Sequence, residues 1–318
     1  MKQEIKIGTF ETVYSLFLGM LLFNHKEWDI IYIKNFKPKW KKNKKSFLYL
    51  RSNSKYLAII LIFIQKLYFK AIFYNKEIEI YGQDHTGIGN ILVGMGRFYL
   101  IEDGLMSYQD KKDSKNKYFK LKELIGINLN LGRHKNVKKI YLTGLAPIPE
   151  EIKDKVEIIN LKKLWDKKTL EEQNEILDIF SFDLKIKEKI KGKSIILFTQ
   201  PLSEDNIITE EEKIQIYSKI IKKYPNNRLI IKTHPREKTN YKNIFKEYFI
   251  LDNPFPFEIL NLLDVKFNKA ITLFSTAALS LGKEVEVDFY GTEVHPKILQ
   301  KFGSCNNIME RNCFLKEE

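Results

Sequence analysis

The chain has 318 residues, of which 44% are hydrophobic and 30% charged, with a formal net charge of +14. That length and balance describe a folded chain with room for two ordinary domains, and they exclude a disordered one. Cys305 and Cys313 are the only cysteines, too few for a disulfide framework or a thiolate metal site, which points to a reducing compartment.

From the N-terminus, "EIKIG" reads as a strand and the uncharged run Thr12 to Asn24 as a helix too short to cross a bilayer, which takes about 20 apolar residues. No small-residue cleavage site follows, and Glu11 interrupts a signal-like pattern. After the strand "DIIYIKN" comes "KPKWKKNKK", Lys37 to Lys45, with six lysines in nine positions around Trp40. Three readings apply to it: a solvated loop ranks first, contact with an anionic membrane second, and nucleic acid third, for want of a recognised binding motif. The apolar run Tyr56 to Gln65 is broken by Lys66 and Lys70. It and the Thr12 to Asn24 run are both expected as buried or interfacial helices. No segment exports or anchors the chain, so a cytoplasmic location is expected, with the inner face of the membrane as the place for any peripheral contact.

Strand-like and helix-like runs go on alternating: "EIEIYG", "HTGIGNILVG", "RFYLIEDG" and "VKKIYLTG", then "KSIILFTQ", a helix from about Thr209 to Tyr224, "NRLIIKTHP", a helix near 257–263, "KAITLFSTAALSLG" and "EVDFYG". Short β-branched strands alternating with helices predict parallel sheets covered on both faces. The fold class expected is α/β, as two Rossmann-like domains covering 1–155 and 156–318. Ligands of such folds bind beyond the carboxyl ends of the strands, so polar residues placed just after strands are the site candidates.

Glu102, Asp103 and Gly104 follow one strand. A single acid there is an ordinary turn former, but two adjacent acids after an apolar approach suit a base that takes a hydroxyl proton. Lys232, Thr233, His234, Pro235 and Arg236 end another strand, a cation cluster suited to phosphate. His295 repeats the His-Pro dipeptide without the lysine or the strand and is read as structural. Ser275 and Thr276 stand at a strand-to-helix junction, where hydroxyls cap and free N–H groups bind anions. Glu258 opens a helix after two prolines, where an acid complements the dipole. "TQPLSEDN" carries Gln200, Pro201, Glu204 and Asp205 past another strand.

An acidic pair with glycine, then Lys-x-His-Pro, then Phe-Glu, then a Ser/Thr pair, in that order, resembles the bacterial sialyltransferases, and most of all glycosyltransferase family 52, with the motif set shared by families 80 and 38. The resemblance runs from about Ile78 to Gly291. It implies a GT-B fold with two Rossmann-like domains facing a central cleft, the acceptor on the N-terminal side and CMP on the C-terminal side, and inverting transfer of sialic acid from CMP-sialic acid without metal or other cofactor. By motif, Asp103 corresponds to the general base and His234 to the general acid or phosphate stabiliser. Ser275 and Thr276 would hold the phosphate and Glu258 the ribose. Lys232, Pro235, Gln200, Pro201, Glu102 and Gly104 would complete the substrate contacts. Asp205 is the alternative base. The acceptor implied is a galactose-ended glycan of a lipooligosaccharide or capsule. Three readings stand beside this one: a related transferase with another nucleotide sugar such as a glucosyl donor, a non-catalytic nucleotide-binding protein and, remotely, a nucleic-acid binder. The sequence leaves a homodimer open.

Overall fold

A computed structural model of the chain describes residues 2–34, 37–40, 45–46, 49–50, 52, 54–109, 131–282 and 284–304. Cys305, Cys313 and, within the lysine-rich segment, Lys41, Lys42 and Lys44 lie outside these residues. The chain divides into two compact units, Met1–Ile176 and Leu177–Glu318.

The first unit is built on a six-stranded parallel sheet of β1 (Glu4–Phe10), β2 (Ile30–Ile33), β3 (Glu77–Gly82), β4 (Arg97–Ile101), β5 (Val137–Leu142) and β6 (Val156–Ile158), in the order β2-β1-β3-β4-β5-β6. Ile7, Ile80, Phe98 and Ile140, on four adjacent strands, are fully buried and form the middle of its core. β6 lies just past the boundary expected between the two domains. It pairs with β5 through Ile140↔Val156, so the first unit runs past the 155/156 boundary set from sequence. The second unit holds a five-stranded parallel sheet of β7 (Ile195–Phe198), β8 (Leu229–Lys232), β9 (Phe249–Leu251), β10 (Lys269–Thr272) and β11 (Glu286–Phe289), in the order β11-β10-β7-β8-β9. Its core centres on Leu197, Leu229, Ile231 and Ile271, all fully buried. β9 was not expected; three residues are too few to show a period.

In both sheets the strand order reverses direction once, beside β1 and beside β7. Such reversals splay the connecting loops apart and leave room for ligands at the carboxyl edge. Every strand-end motif singled out above lies at such an edge.

The two apolar helical runs turn out differently. Helix α1 (Val13–Leu22) is capped by Thr12 and buries seven of its ten residues. Helix α2 (Lys55–Ile72) buries only one narrow face, and large apolar side chains on its other face are exposed. Among the described residues, no helix is long and apolar enough to cross a membrane. Trp40, the aromatic residue of the lysine-rich segment, packs against the His25 ring with centroids 5.9 Å apart.

Helix α3 (Gly87–Leu92) sits so close to the loop after β3 that a Cβ on Gly89 would lie 1.8 Å from the Gln83 carbonyl oxygen. Gly89→Ala must therefore push α3 or the 83–86 loop aside. Overpacking of this kind costs about 1–3 kcal/mol or more, and a thermal melt should show the midpoint falling by several degrees.

Candidate functional site

The acidic pair after β4 divides its labour by direction. Glu102 points inward and is fully buried. Its carboxylate accepts hydrogen bonds from Tyr14 Oη (2.8 Å), Tyr108 Oη (2.6 Å), the Thr143 N–H (2.6 Å) and Thr143 Oγ1 (2.8 Å). Burial pushes its pKa up and these donors pull against the rise. With its oxygens so fully engaged, Glu102 is a loop anchor and not a substrate contact. Tyr108 Oη also accepts from the Gly144 and Leu145 N–H groups, tying the loop after β4 to the one after β5. Gly104 has φ +60°, a left-handed conformation that glycine adopts without strain.

Asp103 points the other way and is partly exposed. Its Oδ1 accepts from Thr12 Oγ1 at 2.9 Å, and its backbone N–H donates to Ser107 Oγ at 2.8 Å. Its Oδ2 lies 3.5 Å from His85 Nε2. On the far side of that imidazole, Asp84 Oδ1 is 3.8 Å from Nδ1. Asp84 is fully buried, held by the Gly132 N–H at 2.8 Å through Oδ2, while its Oδ1 accepts no hydrogen bond. Burial works against charging His85, but the carboxylates of Asp103 and Asp84 outweigh it and lift its pKa to about 9. Beside His85 opens a recess of about 430 Å³, walled by Glu11, Lys34, Tyr49 and, from α2, Ala58 and Ile62. Glu11 forms an ion pair with Lys34 and accepts the Gly87 N–H.

His85 was missed at the sequence level, although "YGQDHTG" ends a strand with an acid and a histidine much as "LIIKTHP" ends one with His234. Attention to every strand end would have found it.

In the second unit, the loops after β7, β8 and β10 come from three strands adjacent in the sheet. His234 Nδ1 accepts the Arg236 N–H at 3.1 Å, so a neutral ring carries its proton on Nε2. Burial, then the charges of Arg236 and Lys232, press its pKa down to about 4. His234 is therefore neutral near pH 7. Lys232 differs from expectation. Its buried amine donates to the Thr233 and Asn253 carbonyls (3.0 and 3.1 Å) and lies 5.1 Å from the centre of the Phe255 ring. Burial lowers its pKa to about 8. This lysine pins the loop that leads to Glu258, which is itself buried in a short helical turn, Glu258–Leu262.

Gln200 links two loops: its backbone N–H donates to Tyr217 Oη and its side-chain oxygen accepts the Phe274 N–H. Pro201 beside it is buried. Ser275 N–H donates to Thr272 Oγ1 at 2.8 Å, and Ser275 caps a 3-10 turn, Thr276–Leu281, where an α-helix was expected. Asp205, the alternative base, is held by both Arg236 nitrogens, and Pro235 lies between that arginine and His234. His295 caps its own helix, Pro296–Phe302, the structural role assigned to it.

The residue that organises the His-Pro loop is Glu237. It accepts from the His234 N–H (2.7 Å), Tyr241 Oη (2.8 Å) and Thr199 Oγ1. Lys213, fully buried, lies 2.9 Å from Glu204, 3.2 Å from Glu210 and 3.7 Å from Glu237. Burial raises the Glu204 pKa, but the Lys238 N–H and the Lys213 amine more than compensate and bring it to about 2. Removing the single cation from three acids leaves buried charge uncompensated, which costs about 3–5 kcal/mol. Lys213→Met is expected to lower the stability of the second unit by that order, read as a shifted denaturation midpoint.

His85 makes a pH-dependent prediction. Its folded pKa stands above the unfolded value of about 6.5. Its contribution to stability is fully present below pH ~6.5 and is lost as pH rises through about 9. The stability difference between wild type and His85→Gln, measured by denaturant unfolding, should be largest at pH 6 and shrink by pH 9.5.

Comparisons with known proteins bear on this arrangement. The chain is 49% identical over 232 residues, 72% of its own length and 73% of the relative's, to an "Uncharacterized protein" of Haemophilus influenzae strain Rd. Among solved structures it is similar to an α/β-galactoside α-2,3-sialyltransferase from Photobacterium phosphoreum, with a TM-score of 0.60 at 16% identity over 91% of this chain and 90% of that one. The 2,6-sialyltransferase of Photobacterium sp. JT-ISH-224, solved with CMP and lactose, gives a TM-score of 0.57 at 14% identity over 90% and 71%. The UDP-GlcNAc 2-epimerase of Methanocaldococcus jannaschii gives 0.53 at 12% over 95% and 93%. At these identities the likeness is one of fold, and the fold is of the GT-B type. The model of glycosyltransferase family 52 matches residues 21–298, and the chain belongs to that family.

Proposed function

We propose that the protein is an inverting sialyltransferase that moves sialic acid from CMP-sialic acid to a terminal galactose of a lipooligosaccharide or capsular glycan. The observation that carries this is the placement of the motifs in a family 52 chain: the acidic pair ends β4 in one sheet, while the Gln-Pro, His-Pro and Ser-Thr motifs end β7, β8 and β10 in the other. In the proposed reaction Asp103 takes the acceptor proton as the hydroxyl oxygen attacks. A sugar hydroxyl is a poor nucleophile near neutral pH, and a positioned carboxylate supplies the base. Thr12 and His85 fix the orientation of that carboxylate, while Glu102 fixes the loop.

The bond broken joins the sugar to the CMP phosphate, on which negative charge accumulates. His234 Nε2–H is the donor assigned to it. The imidazole is neutral in the free chain, and an anion bound against it favours the charged ring, so donor binding itself would arm the acid. Ser275 and Thr276 are assigned to the phosphate and Glu258 to the ribose. Lys232 contributes through the loop it holds. Asp205 is the less favoured base, because Arg236 already occupies both of its oxygens. No metal is assigned a role.

The segment Lys37–Lys45 is proposed to meet an anionic membrane at the cytoplasmic face, where a lipid-linked acceptor would be presented. A related transferase with a UDP-sugar is the second reading, supported by the shared fold with the UDP-GlcNAc 2-epimerase. Calorimetry against CMP and UDP separates the two, since CMP alone should bind if the first is right.

Asp103→Asn keeps the side chain's shape and removes its basicity. Transfer should fall by at least ~10², the usual contribution of a general base, with CMP affinity unchanged. Asp205→Asn is the paired control, and the base is reassigned if that variant alone is inactive. His234→Ala should lose ~10²–10³ in turnover while melting as wild type. Near-normal activity there would remove His234 from the mechanism.

A further inference from the structure

Helix α2 carries two apolar faces, and only one of them is used. Ile59, Gln65, Phe69 and Phe73, just past its end, face inward and are buried. The opposite face presents Tyr56 (77% exposed), Ile60 (54%), Phe63 (48%), Ile64 (51%), Leu67 (51%) and Tyr68 (59%). Spacings of three, four and seven residues put these six on a single continuous stripe. Isolated exposed apolar residues need no explanation, but a contiguous stripe along a whole helix marks a contact surface. At 18 residues, or about 27 Å, the helix is too short to span a bilayer comfortably and well suited to lying in its surface.

The sequence around α2 says what that contact is. From Ile30 to Lys76 there are twelve lysines and arginines and not one aspartate or glutamate, so this segment alone carries +12 of the chain's +14. Within α2, Lys66 and Lys70 lie one turn apart at the border of the exposed stripe. Lys66 is half-buried, and burial together with the charge of Lys70 lowers its pKa. A second copy of the chain docking through the same face would bring two +12 segments together. Nucleic acid would satisfy the charge and leave the apolar stripe in water. A surface of anionic lipid satisfies both.

We infer that the outer face of α2 is a membrane-binding surface, with its apolar stripe in the headgroup–acyl boundary of an anionic bilayer whose negative charge complements the basic sequence around the helix. The inference goes beyond the basic segment alone: the apolar stripe carries the binding, and the charge selects the lipid. It does not depend on which donor the enzyme uses. It has a geometric consequence within the first unit, because the inward side of the same helix contributes Ala58 and Ile62 to the recess beside His85. A lipid-anchored acceptor would thus meet the recess one helix width from the bilayer.

The test is co-sedimentation of the full chain with vesicles of phosphatidylcholine alone and with phosphatidylglycerol added. The expected result is partition onto the anionic vesicles only. The triple variant Ile60→Gln, Phe63→Gln, Leu67→Gln should lose at least ~10-fold in partition while keeping the wild-type melting temperature, since all three side chains are exposed. Lys66→Gln with Lys70→Gln should weaken binding less and flatten its salt dependence. Wild-type protein that stays in the supernatant, or a triple variant that binds as wild type, would overturn the inference. So would ultracentrifugation showing a wild-type dimer that the triple variant dissociates, which would give the face to a second copy. Calorimetry with CMP on the triple variant keeps this result separate from the transferase reading.

Discussion

A buried carboxylate is the constraint on which the first unit's site depends. Glu102 is out of water with two tyrosine hydroxyls and both donors of Thr143 directed at it. An unpaired charge in that position would be costly, and a fully satisfied one is rigid. Its partners come from α1, from the turn after β4 and from the end of β5, so one side chain fixes three segments against each other. Asp103 is the next residue, and the chain's alternation turns it outward because its neighbour is locked inward. The direction of the proposed base is a by-product of the burial of the acid beside it.

The second unit solves the same problem with different residues. Glu237 is held by the Thr199 and Tyr241 hydroxyls and faces Lys213. It receives the His234 N–H, so the imidazole's position is fixed through its own backbone. Lys232 does similar work on the neighbouring loop through two carbonyls. In both units the residue proposed to do chemistry stands close to one that is spent on structure, and electrostatics inside the fold set the orientation. The two histidines are accordingly tuned in opposite directions. His85, between two acids, is held charged, whereas His234, beside two cations and buried, is held neutral.

Much of this was legible in the sequence, and the failures have physical causes. Strand-end position placed Asp103 and His234 at the sheet edges, because a polar residue after a β-branched run has few places to go except the sheet's edge. It did not distinguish a cation that faces ligand from one that turns back onto carbonyls, which is why Lys232 read as a phosphate contact. Glu237 and Lys213 drew no reading from the sequence. Their burial depends on segments 24 residues apart closing on each other, and no local pattern carries that information. The Ser275–Thr276 junction reads as a helix start by composition but forms a 3-10 turn. α1 and α2 have nearly the same apolar appearance, yet one is engulfed and the other half-covered. What decides between them is how many neighbours each finds, a property of the fold as a whole.

The concentration of charge around α2 has an effect that operates before any contact forms. With +12 of +14 confined to 47 consecutive residues, the rest of the chain is close to neutral, and the net charge is unevenly distributed along it. Near a negatively charged plane such a particle experiences a torque as well as an attraction. The torque acts within roughly one Debye length, about 8 Å at physiological ionic strength, and biases the approach so that the basic segment arrives first. A protein with the same net charge spread evenly would be attracted as strongly at long range but would arrive in any orientation. Uneven charge therefore shortens the rotational search that precedes productive encounter, and raising the salt concentration would lengthen that search while leaving the folded structure intact.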